Sequence, residues 1–165
     1  MNSSFDAKQQ AAQSTILAVD YGRVRIGLAI ATAEARLARP LATLERVNRN
    51  EDMRRLRELA LEHDVKQIVV GLPLLLDGTR GEMAEEAERF ARRARKQIGL
   101  PVAMVDERLT SWEAERLLEE EYGKKYRDQN EKRKRLDNEK PTVDSVAAAV
   151  ILREYLEKQG EAERE

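Results

Sequence analysis

Residues 16–31 read ILAVDYGRVRIGLAIA, in which two apolar runs flank a short polar segment. Short apolar runs bounded by turn residues are typical of buried strands, and a glycine between them suits a tight turn. The stretch therefore predicts two strands joined by a tight turn. Asp20 ends the first run, which places its carboxylate at the edge of the predicted sheet. An ionised carboxylate in that position is costly unless a cation or a metal ion accompanies it.

The remaining pattern predicts one more strand and then alternating helices and strands. Apolar residues recur at helical spacing in some segments and run continuously in others. The predicted elements are a strand at 38–44, a helix at 51–63, a strand at 67–73, a helix at 82–98, a strand at 101–107, a helix starting near Thr110 and a last helix after Thr142. Thr79 and Glu82 have the spacing of a capping box for the second helix. The order favours an α/β fold with a mixed five-stranded sheet flanked by helices.

The length of the chain predicts one domain. It has 165 residues, within the usual range for a single compact core. Residues 1–14 carry no strand period and no strong apolar face, and residues 159–165 are rich in Glu. We therefore expect a tail at 1–14, one domain at 15–158 and a charged tail at 159–165.

Composition excludes several classes of site. The chain has no Cys and a single histidine, His63, so thiolate zinc sites, cysteine nucleophiles and multi-histidine metal sites cannot be built. Acid–base or metal chemistry must then rest on carboxylates. With 30 Lys plus Arg against 31 Asp plus Glu, a wholly basic surface is also excluded. No apolar run is long enough to span a membrane and no signal peptide is visible, so we expect a soluble cytoplasmic protein.

Four acids are the candidate site residues. Asp20 ends one apolar strand, Asp106 and Glu107 end another, and Asp144 lies in the first turn of the last helix. Each has an ordinary alternative as a turn residue, a surface ion-pair partner or a helix N-terminal acid. Together they match the hard oxygen ligands that Mg²⁺ or Mn²⁺ needs for two-metal phosphodiester hydrolysis. Alternation lets only one of Asp106 and Glu107 point inward, and the pattern leaves open which one.

Basic residues near these acids are candidate phosphate contacts. The segment from Gly123 to Lys140 carries eight Lys or Arg against four acids and includes Lys124 and Lys125. It is interpreted as a basic loop that contacts nucleic acid, with a solvated loop as the alternative. Strand alternation would place Arg23 and Arg25 on one face. There they would either contact phosphates or be ordinary solvated turn residues. Arg108 either binds phosphate or balances the neighbouring acids.

Four blocks of the sequence carry a family resemblance. They are VDYGRVRIGLA at 19–29, VGLPLLLDG at 70–78, VDERLTS at 105–111 and VDSVAA at 143–148. In this order and spacing they resemble the YqgF/RuvX family, over residues 16 to about 156. One departure is Leu75, where the family often has Asn, so the contacts of that loop are not carried over.

The resemblance implies an RNase H-like fold related to the RuvC resolvases, and a cytoplasmic nuclease that uses Mg²⁺ or Mn²⁺. The family is described as processing the 5′ end of pre-16S rRNA, and some members as Holliday-junction resolvases. It implies nucleic acid as the partner, either pre-rRNA in a ribosomal precursor particle or branched DNA. The family's acids fall on Asp20, on Glu107 with Asp106 beside it, and on Asp144, which become the candidate metal ligands.

Two other functions remain as alternatives to rRNA processing. The first is junction resolution, which needs two active sites and hence a homodimer, whereas end trimming is compatible with a monomer. The second is a non-catalytic RNA-binding assembly factor that has kept the fold. Phosphoryl transfer on an actin-like fold is set aside because the chain has room for one domain and no glycine-rich phosphate loop with Lys and Ser or Thr.

Overall fold

The computed structural model describes residues 14–107 apart from 33, 35 and 76, then residues 116, 120 and 141–164. It contains five strands and three long helices in this part of the chain. In order they are β1 (Thr15–Tyr21), β2 (Arg25–Thr32), β3 (Arg39–Glu45), α1 (Arg49–Glu62), β4 (Val65–Pro73), α2 (Glu82–Ile98), β5 (Val102–Glu107) and α3 (Val143–Ala162). The predicted helix near Thr110 and the basic loop at 123–140 lie outside the described residues.

The strands form one mixed sheet in the order β3-β2-β1-β4-β5. β2 is antiparallel to β1 and to β3, whereas β4 is parallel to both β1 and β5. The short turn between β1 and β2 permits antiparallel pairing, while helical crossovers are needed for the parallel pairs. The predicted mixed five-stranded sheet is therefore confirmed. The carboxyl ends of β1, β4 and β5 meet at one edge, where the candidate acids lie.

Both faces of the sheet are buried, each by different helices. On one face, Leu17 and Val19 of β1 belong to a core that includes Phe90 of α2. On the other face, Ala18 belongs to a core with Ile151 and Leu152 of α3. Because successive strand residues point to opposite faces, β1 must be apolar at nearly every position, as its sequence shows. Burial of each large aliphatic side chain contributes about 1.5–3 kcal/mol.

The face covered by α3 is built from small residues. Ala18, Ala29 and Ala31 line it, and all three are fully or almost fully buried. Small side chains allow a helix to approach a sheet closely. The first turn of α3 therefore reaches the carboxyl end of β1.

Two local predictions differ from the structure. α3 continues to Ala162, into the segment predicted as a charged tail, because Glu, Lys and Gln are good helix formers and only one side of the helix has to be covered. Thr79 is not the N-cap of α2. It donates to Asp77 through its backbone and its hydroxyl group, and Gly81 takes the N-cap position without a side-chain hydrogen bond.

None of the helices within the described ranges is long and apolar enough to cross a bilayer.

Candidate functional site

Asp20 lies at the carboxyl end of β1, on the face that α3 covers. Alternation from the buried residues Ile16 and Ala18 gives its side chain this direction. It pairs in register with Gly27 of β2. The carboxylate is thus held by the sheet itself, partly buried, directly below the start of α3.

Glu107 and Asp106 point to opposite sides of β5. Asp106 continues the side of Val102 and Met104 and is exposed, whereas Glu107 continues the side of Val105, which packs with α3. The Oε2 atom of Glu107 is buried. The structure therefore brings Glu107, and not Asp106, to the face that carries Asp20.

Asp144 reaches the site from the first turn of α3. A capping box anchors that turn: the side chain of Thr142 accepts a hydrogen bond from the backbone N–H of Ser145, whose hydroxyl group accepts from the backbone N–H of Thr142. Thr142 is also hydrogen-bonded to Thr43 of β3. A Cβ atom at Gly27 would overlap the backbone of Asp144, so this glycine is needed for the helix to reach the sheet.

The three acids share one electrostatic environment. The pKa of Asp20 is raised from 3.8 to about 7, first by burial and then by the negative charges of Asp144 and Glu107. Burial and nearby like charges both disfavour the ionised form of a carboxylate. Asp106 is not among the groups that act on Asp20. Asp144 and Glu107 are thus near enough to act on the charge of Asp20, whereas Asp106 does not act on it.

Arg23 and Arg25 turn to opposite layers of the molecule. Nε of Arg25 donates to Oδ2 of Asp144 at 3.0 Å, whereas Nη2 of Arg23 donates to Oε1 of Glu86 in α2 at 2.9 Å. The prediction that alternation would place both arginines on one face is therefore wrong. Arg23 lies in the turn before β2, where strand alternation does not apply. Of these two arginines, Arg25 belongs to the acidic site.

The donor chemistry of the converging acids fits a divalent cation. Carboxylate oxygens are the preferred ligands of Mg²⁺ and Mn²⁺, and a cation would relieve the repulsion that raises the pKa of Asp20. Within the described residues, however, no three Asp, Glu or His side chains are close enough to form a ready-made metal cluster. The guanidinium of Arg25 instead provides the positive charge at Asp144. Arg108, Lys124 and Lys125 lie outside the described residues.

A polar network on the sheet face opposite the acids was not predicted from the sequence. Nη1 of Arg46 donates to the Tyr21 hydroxyl at 2.7 Å, and that hydroxyl lies 3.3 Å from Oε2 of Glu86. Nε of Arg46 also donates to the buried carboxylate of Asp52 at 3.0 Å. Alternation predicts that Tyr21 faces away from Asp20, but no local pattern pairs it with Arg46 and Glu86, which are distant in the sequence.

The fold and the acids at one sheet edge define a class: an RNase H-like protein with a carboxylate site. Two solved structures share this fold. The Thermus thermophilus RuvC in complex with a Holliday junction has a TM-score of 0.53 at 12% identity, covering 90% of this chain and 96% of that one. The fowlpox virus resolvase bound to Holliday junction DNA has a TM-score of 0.56 at 11% identity, covering 88% and 98%.

The chain belongs to the RuvX family. The family's sequence model, described as "Holliday junction resolvase", matches residues 14–158. A relative from Anaeromyxobacter dehalogenans is 44% identical over 142 residues, which cover 86% of this chain and 96% of the relative. One from Chloroflexus aurantiacus is 40% identical and covers 86% of each chain. Both relatives bear the name "Putative pre-16S rRNA nuclease". The predicted family and RNase H-like fold are thus confirmed.

Proposed function

We propose that this protein is a divalent-metal-dependent nuclease that processes the 5′ end of pre-16S rRNA. The observation that carries the proposal is the placement of Asp20, Glu107 and Asp144 at one edge of the sheet, where burial and then mutual repulsion raise the pKa of Asp20 to about 7. Relatives of 40–44% identity bear the corresponding name. For this function we propose that the protein acts in the cytoplasm on a ribosomal precursor particle.

In this proposal the three converging carboxylates hold Mg²⁺ or Mn²⁺. Bound there, a divalent cation supplies Lewis-acid stabilisation of the charge that develops on the phosphodiester during hydrolysis. The acids are delivered by rigid elements: two by strand ends and one by the capped first turn of α3. Such placement limits the reorganisation needed when substrate arrives. Asp106 stays outside this ligand set because it lies on the other side of β5.

Arg25 has a further role as a phosphate contact. Its guanidinium lies beside Asp144, so a substrate phosphate placed at the acids would come within its reach. Arg108, Lys124 and Lys125 follow the β5 acids or precede Asp144 in sequence, and we assign them the same task on that basis. Arg23 is assigned to holding α2 against β1, since its guanidinium is bonded to Glu86.

Junction resolution is the second candidate, because the family's sequence model carries that description. The experiment compares two labelled substrates, a precursor RNA with the 5′ leader of small-subunit rRNA and a four-way DNA junction. Each is incubated with Mg²⁺, Mn²⁺ or EDTA, using the native chain, Asp20→Asn and the matched control Asp106→Asn. Asp20→Asn removes a converging acid, whereas Asp106→Asn removes a carboxylate that faces away.

We expect metal-dependent cutting of the RNA that Asp20→Asn abolishes and Asp106→Asn retains. Preferential cutting of the junction would replace the rRNA assignment with the resolvase, and a dimer in solution would accompany that result. Binding of RNA without cleavage of either substrate would overturn the nuclease proposal in favour of a non-catalytic assembly factor.

A further inference from the structure

Three elements are tied together on the sheet face opposite the acids. Arg46, just before α1, donates to the Tyr21 hydroxyl at the end of β1, and Glu86 of α2 lies within 3.3 Å of the same oxygen. The rings of Tyr21 and Phe90 are 5.2 Å apart, centroid to centroid. The start of α1 is therefore held beside the first half of α2 and the carboxyl end of β1.

Arginines gather on the surface that these contacts create. Arg49 is the first residue of α1, and Arg89 and Arg93 lie three and seven positions after Glu86, on the same side of α2. Burial lowers the pKa of Arg93, and the positive charges of Arg49, Arg46 and Arg89 lower it further. Arg49, Arg89 and Arg93 are called the arginine cluster below.

The nearby carboxylates are already engaged with other arginines. Asp52 pairs with Arg46 at 3.0 Å, Glu86 with Arg23 at 2.9 Å and Glu51 with Arg54 at 2.6 Å. Within the described part of the chain, no member of the arginine cluster forms an ion pair with a carboxylate within 4.0 Å.

The absence of ion pairs to the arginine cluster among the described residues indicates a binding surface for anions. Like charges held close together and partly out of water raise the free energy of the free protein, and a bound anion removes that cost. Guanidinium groups match phosphate because their planar forks donate two parallel hydrogen bonds. A polyanion with regularly spaced phosphates suits three such groups on two helices.

The arginine cluster and the acidic site lie on opposite sides of the same edge of the sheet. Asp20 and Tyr21 are consecutive residues at the end of β1, and alternation points one to α3 and the other to the arginine side. A nucleic-acid strand that crosses this edge would contact both. We propose that Arg49, Arg89 and Arg93 form a second phosphate-binding site, which holds the backbone of the nucleic-acid substrate away from the bond that is cut.

This inference rests on the proposed function, and the test keeps the two apart. The variant Arg49→Gln/Arg93→Gln removes one charge from each helix. The matched control Arg57→Gln/Arg92→Gln also removes one exposed charge from each helix, at positions that do not act on Arg93. Binding of a fluorescein-labelled single-stranded RNA is measured by anisotropy in EDTA over a range of salt concentrations, and thermal melts establish that each variant is folded.

We expect the cluster variant to bind the RNA about tenfold or more weakly. The slope of log K against log salt concentration should become less steep by about 1.4, because each of the two lost phosphate contacts contributes about 0.7 to it. The control variant should keep more of the native slope. Equal affinities and slopes in the two variants would overturn the arginine site while leaving the nuclease proposal intact. If the native chain neither binds nor cuts nucleic acid, the proposed function fails, and this inference fails with it.

Discussion

The backbone of Asp144 lies directly on Gly27, so that any side chain at position 27 would overlap its carbonyl group. This contact joins the first turn of α3 to the strand that pairs with Asp20. The reach of Asp144 into the acidic site therefore depends on the absence of a side chain in β2, a strand far from α3 in the sequence.

Replacement of Gly27 by alanine should displace α3 and separate Asp144 from Asp20. We expect Gly27→Ala to lower the free energy of unfolding by about 1–3 kcal/mol, as overpacking does, and to reduce cleavage more than this loss of stability explains. Denaturant unfolding and cleavage rates measure the two effects. Gly81→Ala is the matched control, because a Cβ there meets the side chain of Leu75 no closer than 3.5 Å. Equal effects of the two substitutions would contradict the packing argument.

Glu107 and Asp106 should differ in metal binding. A ligand that binds only the folded state raises Tm, and for a chain of this size 1 kcal/mol corresponds to about 2–4 °C. We expect saturating Mg²⁺ to raise the Tm of the native chain and of Asp106→Asn by several degrees, but not that of Glu107→Gln. The reverse pattern would show that the end of β5 turns its other side to the site.

Asp20 should make stability depend on pH. Its folded-state pKa of about 7 exceeds the ordinary value of 3.8, so between these values the folded protein binds more protons than the unfolded one. Its contribution to stability is therefore lost as the pH rises through this window. In EDTA, we expect Asp20→Asn to be more stable than the native chain by about 1–3 kcal/mol at pH 8, after allowing for partial solvation, and by less at pH 5. A stability difference between Asp20→Asn and the native chain that does not change with pH would refute the raised pKa of Asp20.

Metal affinity should rise with pH for the same reason. A carboxylate must lose its proton to bind a metal ion, so binding releases protons wherever Asp20 is protonated in the free protein. Below pH 7, calorimetric titration with Mn²⁺ should show affinity that increases by up to about tenfold per pH unit, and it should level off above pH 7. Heats measured in buffers of different ionisation enthalpy report the released proton, and their absence would count against Asp20 as a ligand.

Arg25 should compete with metal ions for Asp144. The pair is partly exposed at a 3.0 Å separation, so its loss should change stability by less than about 1 kcal/mol. Because the substitution removes a positive charge and releases Oδ2 of Asp144, Arg25→Gln should bind Mn²⁺ a few-fold more tightly and cleave more slowly. Arg23→Gln is the control, since Arg23 bonds to Glu86 instead. Unchanged Mn²⁺ affinity in Arg25→Gln would refute the competition.

Local patterns predicted the individual elements well. The two apolar runs at 16–31 form the antiparallel pair β1 and β2, and the small apolar residues after Thr142 form α3. These elements follow from propensity, turn residues and burial, which act over a few neighbouring positions. The N-cap of α2 was predicted wrongly because Thr79 satisfies its hydrogen bonds within the preceding turn, through Asp77.

By itself, the sequence determined that Asp20 and the Asp106–Glu107 pair end strands and that Asp144 begins the last helix. It also determined that only one of Asp106 and Glu107 could face inward. Only the tertiary structure decided that Glu107 faces α3, that Arg25 bonds to Asp144 across 119 positions, and that arginines from two helices gather opposite the acids. The physical reason is that alternation and propensity are properties of neighbours along the chain. The convergence of distant charges depends instead on how closely α3 packs against Gly27 and the small residues of the sheet.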